Sequence, residues 1–61
     1  MNTIIGRTKQ DEAIYLARAN GKYVVSVKNA LGIPYAATVQ DFWKKDKALA
    51  YADKLKNQRE D

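Results

Sequence analysis

The sequence predicts an α+β domain, a three-stranded antiparallel meander packed on one C-terminal helix (β-β-β-α). Three observations predict it. An Asn20-Gly21 pair lies between two β-prone runs, a third alternating run follows at residues 35–40, and the apolar period lengthens to that of a helix after Lys45. With 61 residues and no Cys or His, the chain has neither a disulfide nor an ordinary structural zinc site to hold it. Packing has to do that work in a unit that buries only about 60% of its unfolded surface.

Residues 1–12 form an N-terminal arm or a short extra strand. Ile4-Ile5 either pairs or covers one end of the core, and Gly6 to Gln10 reads as a basic linker. Residues 13–61 form the domain itself. Asn-Gly supplies the two positive-φ residues of a type I′ turn. With Asn20 and Gly21 as the loop, facing residues pair Ile14 with Val27, Leu16 with Val25 and Arg18 with Tyr23. Side chains alternate along a strand, so Ile14, Leu16, Tyr23, Val25 and Val27 make a core face; Tyr15, Ala17, Lys22, Val24, Ser26 and Lys28 make the opposite one.

The stretch Asn29 to Pro34 is punctuated by Gly32 and Pro34 and reads as a loop, with Leu31 and Ile33 available to cover the core edge. In the third strand, Tyr35, Ala37 and Val39 share one side and Ala36, Thr38 and Gln40 the other. From Lys45 to Asn57, Ala48, Tyr51, Ala52 and Leu55 fall on one helical stripe with Leu49 at its margin. Between strand and helix, two readings stand: Phe42 and Trp43 both pack at the corner, or Trp43 stays exposed as a contact anchor.

The composition argues against an enzyme. General base catalysis, metal ligation and thiol chemistry draw mainly on His and Cys, and the carboxylates present are scattered. The three glycines are isolated, so no phosphate-cradling loop is formed. Neither a metal nor a cofactor is expected. No apolar run approaches the ~20 residues of a membrane span, and no secretion signal is recognisable. A cytoplasmic protein that does not enter membranes is the expectation.

Net charge is +4, and residues 1–40 carry five cations against two carboxylates. That balance suits an anionic partner. Moreover, Gly21-Lys22-Tyr23-Val24-Val25-Ser26-Val27-Lys28, followed by Tyr35 to Phe42 and then Asp46-Lys47-Ala48-Leu49-Ala50-Tyr51-Ala52, resembles the plant ethylene-response-factor DNA-binding domain and the arm-site-binding domains of tyrosine integrases. The likeness covers roughly residues 13–56. It implies that the sheet face turned away from the helix meets double-stranded DNA. Lys22 and Lys28 would reach phosphates, Thr38 or Gln40 a base edge, and Arg7 and Lys9 a neighbouring groove, with Tyr15, Ser26 and Arg18 completing the surface.

The same layout is similar to small antitoxin-like and phage-encoded β-β-β-α proteins that bind other proteins. For that class Ala13, Tyr15, Ala17, Val24, Ala36 and Thr38 would form a docking surface or dimer interface, with Trp43 as a further anchor. A third reading makes the face an ordinary solvated sheet surface. The expectations are therefore a DNA-binding or regulatory module of phage or mobile-element type, or alternatively a protein-binding inhibitor or adaptor, acting as a monomer or homodimer.

Overall fold

A computed structural model describes residues 2–58, with the side chains of Asn2 and Gln58 left aside. Its elements in chain order are β1 (Asn2–Arg7), β2 (Ala13–Ala19), β3 (Lys22–Lys28), a 3-10 turn (Ala36–Thr38), β4 (Gln40–Phe42) and α1 (Lys45–Gln58). The sheet is antiparallel and four-stranded, in the order β1-β2-β3-β4. The expected class, α+β with one C-terminal helix, is present, but the sheet has one strand more than the three expected.

The hairpin between β2 and β3 follows from its turn. Asn20 and Gly21 adopt φ of 53° and 79°, the paired left-handed conformations of a type I′ turn, in which Gly21 has no Cβ to clash. The resulting register pairs Ile14 with Val27, Leu16 with Val25 and Arg18 with Tyr23, as the turn alone dictates. Ile14, Val25 and Val27 are fully buried, and Leu16 and Tyr23 pack against them. Above them lie Ala48, Ala52 and Leu55 of α1, with Tyr51 at the margin. The alanines lack bulk beyond Cβ, so the helix comes close to the strands.

The segment read as arm or extra strand contains β1. Its residues 8–12 close a tight connection to β2 rather than a linker. The Thr8 hydroxyl accepts hydrogen bonds from the amides of Gln10 and Glu12, each at 3.2 Å, and Asp11 takes a positive φ of 64°. A bulge falls between Ile4 and Gly6: Ile4 pairs with Tyr15 but Gly6 with Ile14. The extra residue, Ile5, packs on the core. Its insertion also shifts alternation by one, so that Gly6 faces the helix and Arg7 is re-aimed to the other side. The Lys56 side chain lies directly over Gly6, where a Cβ would meet Lys56 Cε.

The expected third strand at residues 35–40 is corrected. Ala36–Thr38 is a 3-10 turn, and the strand that pairs with β3 is Gln40–Phe42, in the register Tyr23–Phe42, Val24–Asp41 and Val25–Gln40. Continued by two residues, that register would bring Thr38 opposite Val27. There the Thr38 hydroxyl replaces the strand backbone, accepting the Val27 N–H at 3.0 Å and donating to the Tyr35 carbonyl at 2.7 Å. The Thr38 carbonyl in turn accepts the Tyr51 hydroxyl of α1 at 2.9 Å. One buried residue thus fastens the sheet edge, the preceding segment and the helix. Tyr35 packs on the core and its hydroxyl donates to Glu12, whereas Ala37 and Val39, expected beside it, are exposed.

Leu31 and Ile33 do not cover the core edge; they are 83% and 57% exposed. The reason is the turn at Asn29, whose side-chain carbonyl accepts the Leu31 and Ile33 amides at 2.9 and 3.0 Å and directs the segment outward. No helix among the described residues is long and apolar enough to cross a membrane.

Thr38→Val keeps the shape but leaves the buried Val27 N–H without its acceptor, and stability should fall by about 1–3 kcal/mol in urea denaturation. Thr38→Ser, which retains the hydroxyl, should lose less. A second expectation concerns pH. Burial raises the Tyr51 phenol above its ordinary value of 10.0, so the folded state holds this proton more tightly than the unfolded chain. Stability should therefore be unaffected by this group below pH 10.0 and fall as pH rises beyond it. Alkaline thermal melts of the wild type and Tyr51→Phe should differ in that slope.

Candidate functional site

Among the described residues there is no pocket and no group of three or more His, Cys, Asp or Glu side chains arranged to hold a metal. The candidate sites are therefore surfaces, and the first of them is the side of the sheet opposite α1. Directly opposed residues of an antiparallel pair project to the same side. The register accordingly sets out rows across the open face: Arg7–Ala13–Lys28, then Ile4–Tyr15–Ser26, then Ala17–Val24–Asp41, and last Ala19–Lys22. Trp43 follows the last residue of β4 beside Lys22.

Of the residues expected to meet DNA, the fold brings Arg7, Tyr15, Lys22, Ser26 and Lys28 onto this face, together with Val24. Thr38 is not among them, because its hydroxyl is buried and used at the β3 edge. Gln40 pairs with Val25 and so belongs to the helix side, where it is exposed at the edge of the sheet. Arg18 pairs with Tyr23 on that same side, at the hairpin end. Lys9 lies in the β1–β2 connection. Ala36, expected on the docking surface, is in the 3-10 turn.

The face is ordered by contacts between cations and rings. Lys28 Nζ stands 4.3 Å from the Tyr15 ring centroid, a diagonal cross-strand contact, and Lys22 Nζ stands 4.7 Å from that of Trp43. Lys22 also reaches Asp41 Oδ2 at 3.3 Å. Arg7 turns toward the β1–β2 connection, donating to the Asp11 carbonyl at 3.2 Å. The centre of the face is apolar, formed by Ile4, Tyr15, Val24 and the alanines, with Arg7 and Lys28 at one end and Lys22 at the other. The contribution that sequence reasoning missed is positional: only the bulge at Ile5 puts Arg7 here, and its single local signal is Gly6.

Trp43 and Phe42 part company. Phe42 pairs with Tyr23, packs on the core and meets the Tyr51 ring at a centroid distance of 5.4 Å, but Trp43 is 70% exposed. The corner-packing alternative therefore describes Phe42 alone. The helix begins at Lys45, late enough to have allowed an inward indole, yet strand alternation carries residue 43 to the other side.

No protein-family model, curated protein or solved structure matches the chain.

Trp43→Ala should leave stability within about 0.5 kcal/mol of the wild type, as for an exposed side chain. Phe42→Ala should cost about 2–3 kcal/mol, less than the loss of a fully buried ring. Paired denaturant titrations read both.

Proposed function

We propose that the chain is a non-enzymatic nucleic-acid-binding module that grips its ligand through the open face of the sheet. The observation that carries this reading is the gathering of Arg7, Lys22 and Lys28 on one uncovered surface with the aromatic Tyr15, while the opposite face is occupied by α1. Two carboxylates meet these cations, Asp41 at Lys22 and Asp11 at Arg7, in exposed pairs that are weak enough for a phosphate to replace. Such a surface attracts phosphates by charge and releases counterions when it binds.

The mode of contact differs from the one that the resemblance implies. Thr38 and Gln40, the two side chains that the resemblance assigns to a base edge, are turned away, which leaves phosphate and ring contacts as the main grip of this face. A second reading rests on the apolar centre: Ile4, Tyr15 and Val24 with a charged rim also have the composition of a protein-docking surface, which a partner protein or a second copy of the chain would cover.

Salt separates the readings. Titrating a labelled duplex into the protein at rising salt should show affinity falling steeply, with each of Arg7→Ala, Lys22→Ala and Lys28→Ala reducing the magnitude of the log–log slope by about 1. Absence of binding at low salt, to duplex and to single strand alike, would sink the nucleic-acid reading. A protein partner held by the apolar centre should instead be lost with Val24→Lys and respond little to salt.

A further inference from the structure

One end of the molecule carries more than the open face needs. The β2–β3 hairpin end and the β4–α1 corner are brought together by the pairing of Arg18 with Tyr23 and of Tyr23 with Phe42. Arg18, Lys22, Lys44 and Lys45 therefore collect at that end, against Asp41 and Asp46. Among them stands Trp43, the single tryptophan of the chain and 70% exposed.

The indole is held in place as well as exposed. Lys22 Nζ sits over its ring at 4.7 Å and is itself held by Asp41 Oδ2 at 3.3 Å. One face of the ring is thus occupied by a fixed cation. The other needs a flat, polarisable partner to leave water. Arg18, whose guanidinium carbon stands 4.5 Å from the Tyr23 ring centroid, lies on the helix side of the sheet and does not flank the indole. Flanking cations call for negative charge beside that flat partner. An unstacked nucleobase on a phosphate backbone has both features, whereas bases inside a duplex are already stacked on one another and present only edges.

From this juxtaposition we infer that the Trp43 corner is a stacking site for a base of single-stranded nucleic acid, with Lys22, Lys44 and Lys45 receiving the adjoining phosphates. The inference rests on the nucleic-acid reading above and narrows its ligand. A backbone that leaves the corner along β3 would pass from Lys22 toward Lys28, along the open face. Stacking on an aromatic side chain tolerates any base, which agrees with a surface from which Thr38 and Gln40 are turned away.

The intrinsic fluorescence of Trp43 is the direct probe, because no other tryptophan contributes. Oligo(dT) and oligo(U) should each quench it saturably at low salt. Inorganic polyphosphate, which has charge but no bases, should bind without comparable quenching. By anisotropy of a labelled oligo(dT), Trp43→Ala should weaken binding about tenfold and Trp43→Phe much less. Saturable oligonucleotide binding with unchanged emission, or an affinity indifferent to Trp43→Ala, overturns the stacking site. If duplex DNA still binds with steep salt dependence and silent tryptophan, the open-face reading survives without it. If neither duplex nor single strand binds at low salt, both fall.

Discussion

The constraint on which this molecule depends is the two-residue turn at Asn20-Gly21. Both residues hold left-handed backbone conformations, and their twist matches that of the strands they join. A turn centred one residue along the chain would no longer place Ile14 opposite Val27 and Leu16 opposite Val25. Because side chains alternate with period two, a slip of one residue would carry the whole apolar set to solvent and bring Lys22 and Lys28 under the helix. The turn therefore decides at once where the core lies and which side chains remain for a ligand. Core and candidate site are two readings of one register.

What could be read from the amino-acid order follows from that locality. A hairpin signal confined to two residues, an alternating run on each side of it and a helical stripe of Ala48, Ala52 and Leu55 are short-range patterns, and the fold has all three. The features that escaped are those in which a side chain substitutes for backbone or a strand gains a residue. Tyr35 to Gln40 alternates like a strand, but the Thr38 hydroxyl takes the Val27 amide that a strand carbonyl would have taken, and true pairing begins only at Gln40. Alternation cannot reveal which chemical group will satisfy a neighbour's amide. The bulge at Ile5 is nearly as silent, since Gly6 is its single local signal and does not say which residue of β1 will lie outside the pairing.

For the candidate site these two omissions acted in opposite directions. The local deviation at Thr38 removed two side chains from the open face, and the bulge added Arg7 to it. The net effect is a surface without the Thr38 and Gln40 side chains and with one more cation. Trp43 illustrates the same dependence on register. It follows Phe42 immediately, so when Phe42 turns inward to meet Tyr51, residue 43 has to turn outward. The two aromatic residues stand next to each other in sequence, but one serves stability and the other lies in contact with solvent.

The lysines of the open face are where structure bears most closely on binding. A free lysine loses substantial rotamer freedom when it grips a phosphate, on the order of 0.5–1.5 kcal/mol for each immobilised side chain. Lys22 and Lys28 already rest on the Trp43 and Tyr15 rings, and Lys22 is further held by Asp41. A cation over a ring at an exposed site is worth about 0.5–1 kcal/mol, comparable to the ordering cost it offsets. The folded protein has thus ordered these side chains before any ligand arrives, while each ammonium retains donors pointing away from its ring. Under the proposed reading, aromatic residues on this face would act twice: they would present apolar surface to a ligand, and they fix the positions of the charges that would draw it in.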